Sequence, residues 1–379
     1  MGMKIVFWLA VLLAIYPYVL YPLVVFLIGA VRPRKVERAA YLPRVTVLIP
    51  AYNEADCIAA TVQNKLDQDY PADRLEIIVV SDGSSDGTDE IVKGYSDRGV
   101  RLLRREGREG KAAALNEAIR HASGEIVVFS DANSVFGTDA IRLAVENFAD
   151  PRVGYLTGQL RFIAQDDSMS GGSAYIRYEN MVRTLETRAG SIIGVNGGVD
   201  AIRRGLYVDI PRTLITDFVL PLHVLASGYR VIFDPRVTSS ENANEELGSE
   251  FRMRVRVALR ALHGLSYMRR LFNPIRYPLV SFCLTSHKFL RYLGFIFLPL
   301  ALIANAVLAV DDGFYRVLLA AQVLAYLLAL VGLLKRLPVV LRAITVVPSY
   351  YLMSNLAFSL AALKYLRGET MAVWRPRAG

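Results

Sequence analysis

The chain has 379 residues, 53% of them hydrophobic, with 44 Lys and Arg against 35 Asp and Glu and a net charge of +9. That accommodates one soluble domain of about 230 residues with about four membrane segments. The positive excess, with no recognition motif or aromatic-interleaved basic stripe, suits a membrane surface or anionic diphosphates and argues against a nucleic-acid partner. Cys57 and Cys283 give no disulfide framework, and His121, His223, His263 and His287 are scattered, so they read as structural or surface residues.

Residues 5–30 are apolar and uncharged, long enough to cross a hydrocarbon core of about 30 Å, with Pro17 and Pro22 as candidate kinks. Arg32, Arg34, Lys35 and Arg38 follow at once, which predicts a cytoplasmic side for that end. Three short apolar runs then end in polar clusters. Val45 to Pro50 leads into Tyr52, Asn53 and Glu54, and a helical pattern follows over Ala55 to Leu66. Leu75 to Val80 leads into the Asp82–Thr88 turn, and Ile126 to Ser130 into Asp131, Ala132 and Asn133. Buried strands with helices behind them predict strand–helix units in a parallel sheet, which binds ligands outside its carboxyl ends. Asp131 and Asn133 offer oxygen ligands suited to Mg2+ or Mn2+. An isolated Asp-x-Asn at a strand end is more often an ordinary turn, so the convergence of the three strand ends carries the site.

Further along, the glycine-rich Gly194-Val195-Asn196-Gly197-Gly198 run suits close approach to a sugar, although a plain tight turn accounts for it equally well. Residues 277–292 mix aromatic and basic side chains, which predicts an amphipathic helix at the membrane interface. Apolar spans are expected at about 293–310, 315–334 and 338–364.

The motifs PAYNE at 50–54, SDGSSDGT at 81–88, GK at 110–111, SDAN at 130–133, GVNGG at 194–198 and ITDF at 215–218 occur in one order. Together they resemble the family 2 inverting glycosyltransferases, in particular the membrane-bound branch containing cellulose, chitin and hyaluronan synthases. The resemblance covers roughly residues 43–270 and implies an α/β GT-A domain, a nucleotide-sugar-binding Rossmann-like fold, together with α-helical transmembrane segments. Carried over by position, Pro50, Tyr52, Glu54, Asp82, Lys111 and Asp131 look like nucleotide-sugar contacts. Asp131 and Asn133 look like the metal motif, Asn being a departure that removes one negative charge. Asn196, Gly197 and Gly198 look like the acceptor loop.

In this family a Glu-Asp pair at a helix start supplies the base. Thr216-Asp217 stands there, followed at the family's spacing by Gly228-Tyr229-Arg230 and an apolar run, so Asp217 is the candidate general base. On its own it reads as a helix cap. Polymer-forming members carry Gln-x-x-Arg-Trp where this chain has Met253, Arg256 and Val257. Arg256 therefore resembles the leaving-group arginine, while Val257 weakens the case for processive polymerisation.

The expected organisation is a transmembrane helix over 1–31, a basic linker over 32–42, the GT-A domain over 43–250, interface helices over 251–292, transmembrane segments over 293–366 and a tail over 367–379. The resemblance implies a membrane-anchored hexosyltransferase-type enzyme of the inner or plasma membrane, its catalytic domain cytoplasmic, using Mg2+ or Mn2+. It moves a sugar from a nucleotide sugar, expected to be UDP-linked, to a saccharide or lipid-linked acceptor with inversion, in cell-surface polysaccharide or glycolipid synthesis. Membrane lipids are its expected surroundings, and no nucleic acid is expected. Two alternatives stay open, a polyprenyl-phosphate glycosyltransferase and a catalytically silent scaffold of a polysaccharide synthase complex.

Overall fold

The structure, a computed structural model, describes residues 1–163, 171–242, 247–334 and 337–370. Eight strands form one mixed sheet: β1 (Val45–Ala51), β2 (Leu75–Asp82), β3 (Val100–Arg105), β4 (Ile126–Ser130), β5 (Val135–Phe136), β6 (Val153–Ile163), β7 (Val199–Arg203) and β8 (Arg230–Asn242). Their order across the sheet is β3-β2-β1-β4-β7-β6-β8-β5. The first four strands of that order pair in parallel, as the apolar runs predict, whereas β7 pairs antiparallel to both β4 and β6.

Alternation along each strand divides the core between two faces. Val45, Val47, Ile49, Ile77, Val79, Ile126 and Val128 pack on one side. Leu48, Ile78, Val80, Val127 and Phe129 pack on the other. That second core also contains Tyr21 and Val25, so the sheet domain packs directly against the N-terminal apolar segment.

Fourteen α-helices complete the described residues. The first two, α1 (Gly2–Ile15) and α2 (Leu20–Val31), are bent by 59° where a single span is expected. The break lies at Tyr16–Val19, around Pro17, whose ring cannot continue a helix. Helices α3 (Ala55–Leu66), α4 (Thr88–Lys93) and α5 (Lys111–His121) lie between the first four strands in chain order, α6 (Ala140–Glu146) and α7 (Gly171–Ala189) pack against β8, and α8 (Thr216–Ala226) and α9 (Leu247–Tyr267) follow. The chain continues through α10 (Pro278–Cys283), a π-helical turn (Leu284–Phe289) and α11 (Leu290–Tyr292). It ends in α12 (Gly294–Leu308), α13 (Gly313–Val331) and α14 (Val339–Leu366), near the expected spans. Two helices are long and apolar enough to cross a membrane, or up to four spans if each bent pair counts as one.

Residues 277–292 depart from the expected surface helix. His287 and Arg291 are buried, facing Glu186 and Glu179 of α7, so their polar groups point into the protein. A composition that suits an interface helix also suits a helix whose charges are matched from within. The tail beyond residue 370 lies outside the described residues.

Candidate active site

The carboxyl ends of β1, β2 and β4 form one edge of the site. The turn after β4 is held from behind by α3. Thr61 Oγ1 donates to the Ala132 carbonyl at 2.6 Å, and Lys65 Nζ to the Ser134 carbonyl at 2.6 Å. Asn64 exchanges two bonds with the Phe136 backbone, at 2.9 and 2.8 Å. These groups satisfy a turn that could not pair in the sheet and so fix where Asp131 and Asn133 project. Burial pulls the Lys65 ammonium down to about 7.

Asp131 and Asp217 come from elements far apart in the chain, yet one ammonium joins them. Lys111 Nζ, at the start of α5, lies 2.7 Å from Asp131 Oδ1 and 3.2 Å from Asp217 Oδ2. Burial alone would lower the Lys111 pKa, but the two carboxylates, Asp131 foremost, raise it above its usual range. The resemblance assigns Lys111 to a diphosphate, and its ammonium bridges the two acids.

Gly197 has φ +81°, a left-handed conformation that favours glycine, and a Cβ there would meet Asp217 Oδ2 at 2.9 Å. The loop is tied down on both sides. Asn196 donates from its backbone to Thr157 Oγ1 and from Nδ2 to the Gly158 carbonyl, and Ser134 Oγ donates to the Gly198 carbonyl. The Asp131 turn, the glycine loop and Asp217 thus converge.

The nucleotide candidates lie along the same edge with more structural employment than expected. Pro50 is buried in β1. Asp82 accepts from the backbone amides of Glu109, at 3.1 Å, and Gly110, at 2.6 Å, and pairs with Arg105 at 3.2 Å. It therefore anchors the approach to α5, including Lys111. Tyr52 stacks under the Arg108 guanidinium, 3.8 Å from the ring centre, leaving an aromatic-cation platform at the edge. The Glu54 amide is fixed by Thr88 Oγ1 at 2.9 Å.

The arginines of α9 divide. Arg254 turns to α14, donating to Tyr350 and pairing with Glu250. Arg260 donates to the Leu214 carbonyl and feels both the Asp217 charge and the neighbouring Arg256. Arg256, one turn earlier on the same face, is thus in the cationic group on the Asp217 side.

Asp200, in β7, was not singled out in the sequence. It is fully buried, accepts from the Tyr155 hydroxyl at 2.9 Å, and is pushed up to about 7 by burial and then by the charge of Asp217. A lone Asp inside an apolar strand carries no signal of this. The placement of β7 between β4 and β6 brings it beside Tyr155 and within reach of the Asp217 charge.

Among the described residues no three acids, histidines or cysteines gather around a metal position. Asp131 and Asn133 can still supply part of a divalent ion's oxygens, the donor's phosphates supplying others. Two carboxylates already drawn onto one ammonium fit a site that requires positive charge.

The chain is similar to several known proteins. Residues 46–205 match the family described as Glycosyl transferase family 2. The poly-beta-1,6-N-acetyl-D-glucosamine synthase of Staphylococcus aureus (strain MSSA476) is 31% identical over 226 residues, covering 57% of this chain and 54% of that protein. Its Staphylococcus epidermidis counterpart is 30% identical over 225 residues, covering 56% and 53%. The chain thus spans about half the length of these relatives. The mannosyltransferase PcManGT from Pyrobaculum calidifontis, solved in complex with GDP-Man and Mn2+, has a TM-score of 0.75 and 27% identity, covering 97% of this chain and 99% of that one.

Proposed function

From a chain whose residues 46–205 form a glycosyl transferase family 2 domain, we propose a membrane-anchored inverting glycosyltransferase that moves a hexose from a nucleotide sugar onto a saccharide or lipid-linked acceptor. The observation that carries it is the convergence of Asp131, Lys111, Asp217 and the Gly197 turn at one sheet edge. Asp217 takes the proton of the acceptor hydroxyl as that oxygen attacks the anomeric carbon from the face opposite the diphosphate. The anomeric C–O bond breaks and its electron pair leaves on the β-phosphate oxygen. Lys111, with Arg256 and Arg260 on the far side, supplies positive charge toward the leaving group. A divalent cation held by Asp131, Asn133 and the diphosphate would neutralise part of the developing charge.

The related proteins support two donor classes, since the staphylococcal synthases are named for a GlcNAc polymer and the Pyrobaculum structure holds GDP-Man with Mn2+. Pro50, Tyr52, Glu54 and Asp82 form the proposed nucleotide edge, and Asn196, Gly197 and Gly198 the acceptor edge. The domain is proposed to face the cytoplasm, where nucleotide sugars are made.

The test is to incubate purified protein with UDP- and GDP-sugars, with and without membrane lipid. One donor should yield nucleoside diphosphate and a glycosylated product; excess EDTA should abolish this, and Mn2+ or Mg2+ restore it. Binding of a donor with no turnover on any acceptor or lipid would instead favour the silent scaffold. Undiminished transfer in EDTA would remove the metal.

A further inference from the structure

Below the glycine loop, away from the proposed chemistry, lies a buried group of charges that the transfer step does not use. Glu179 and Glu186 come from α7, and His287, Lys288 and Arg291 from the π-helical turn and the residues after it. Arg291 pairs with Glu179, while His287 Nδ1 lies 2.6 Å from Glu186 Oε1 and Lys288 Nζ 3.9 Å from Glu179 Oε2. Arg183 joins from α7, 3.7 Å from Glu179, and its Nε donates to the Gly194 carbonyl at 2.9 Å.

A pure staple between two helices would balance its charges. Here Arg183, Lys288 and Arg291 face only Glu179 and Glu186, and His287 can add a further positive charge. Arg291 is 4% exposed, yet its Nε and Nη2 meet no acceptor among the described residues, and its guanidinium lies among the rings of Tyr18, Tyr175 and Tyr178. Surplus buried cations with unused donors are costly unless an anion joins them. π-Helical turns are rare and cluster at functional sites.

The position of this group relates it to the acceptor. A Cβ on Gly194 would meet the Lys288 ammonium at 2.7 Å, just as a Cβ on Gly197 would meet Asp217. Lys288 and Asp217 therefore stand at the two ends of one glycine loop, whose three-residue step spans at most about 10 Å. The same helical turn also lines an apolar groove with Phe289 and Tyr292, completed by Ala258, Leu262, Leu293 and Phe358 beside α14.

We propose that this cationic cluster receives the phosphate or diphosphate of a lipid-linked saccharide acceptor, its hydrocarbon chain running toward the apolar groove and its accepting hydroxyl lying against Asp217. The assignment rests on the glycosyltransferase reading and names the acceptor class. The phosphate is assigned to the Gly194 end of the loop and Asp217 stands at the Gly197 end, so the proposal gives the attacking hydroxyl to the sugar that the phosphate carries.

The experiment uses the full chain in detergent with the donor that supports turnover, and three acceptors bearing one sugar: a farnesyl diphosphate-linked form, an octyl glycoside and a soluble sugar 1-phosphate. The parent should use the farnesyl diphosphate form best. Lys288→Gln should raise its KM by about tenfold or more, the loss of a charged hydrogen bond, and leave the octyl glycoside KM and the donor affinity unchanged. Lys288→Arg should restore the preference. Equal use of the octyl glycoside by the parent, or equal KM changes for both acceptors in Lys288→Gln, overturns the proposal. Soluble sugar 1-phosphate matching the lipid form overturns the hydrocarbon part. A preserved thermal midpoint and donor affinity exclude misfolding. Arg183→Lys, which keeps the charge but shortens its reach to Gly194, gives a second measure should Lys288→Gln not fold. If no donor turns over with any acceptor, the glycosyltransferase reading itself fails, an outcome distinct from turnover without phosphate preference.

Discussion

At the scale of single residues the two acids of β7 and α8 stand in different surroundings. Asp217 keeps partial access to solvent, its side chain 28% exposed, and its charge is met by Lys111. Asp217→Asn preserves shape but removes the proton acceptor, so donor affinity should hold while transfer falls at least about 100-fold. Calorimetry with nucleoside diphosphate and a transfer assay on one sample separate the two. Near-normal turnover would point to an acceptor oxygen already ionised, as in a lipid phosphate. Asp200 lies behind it, wholly buried, and its carboxyl is raised to about 7 by burial first and the Asp217 charge second. The fold therefore favours the neutral acid. Its contribution to stability is complete below the unfolded value of about 4 and is lost as pH rises through about 7. Asp200→Asn mimics the neutral form, so its thermal midpoint relative to the parent should improve from about pH 4 to about pH 7 and level off above that. A difference independent of pH would mean that Asp200 is ionised throughout.

Among elements, α3 shows how a helix can set the Asp131 turn from behind. Thr61, Asn64 and Lys65 share its inner face and hold the backbone from Ala132 to Phe136. Thr61→Val keeps the shape but orphans the Ala132 carbonyl, and should cost about 1–3 kcal/mol while weakening donor binding through a looser Asp131. Unchanged donor affinity in a destabilised protein would show that the turn is held by Lys65 and Asn64 alone. The strand side of this arrangement was legible in the sequence, because β1, β2 and β4 are buried on both faces and read as unbroken apolar runs ending in acids. The α3 clamp was not: Thr61 and Lys65 look like ordinary polar positions on a surface helix until the turn is laid against them. The antiparallel half of the sheet was also hidden, since β7 is short and its Asp200 breaks the apolar pattern. Residues 277–292 misled for a related reason, since periodicity records where charges sit on a helix but not whether their partners are water or Glu179 and Glu186.

The whole molecule joins the sheet and the apolar N-terminal helices in one core, with Tyr21 of α2 donating to Glu186 of α7 beside His287, and Tyr21 and Val25 packed with Leu48 and Val127. The proposed acceptor site therefore sits at the base of the sheet domain, next to apolar helices. The resemblance sets the Trp of polymer-forming members against Val257, which is 46% exposed on α9. A large ring can hold an acceptor sugar by stacking over its C–H surface, whereas Val offers less area and no flat face. Tyr267, 56% exposed on the same helix, stands nearly three turns away, and Trp374 lies outside the described residues. With two to four candidate spans to line a passage and no aromatic platform at position 257, a growing saccharide has little to retain it between additions. One or a few sugars per encounter are expected. The measurement is product size early in a reaction with a large excess of acceptor. A ladder of short products spread over the acceptor pool supports distributive addition, whereas long polymer beside untouched acceptor would require another surface of this protein to hold the chain.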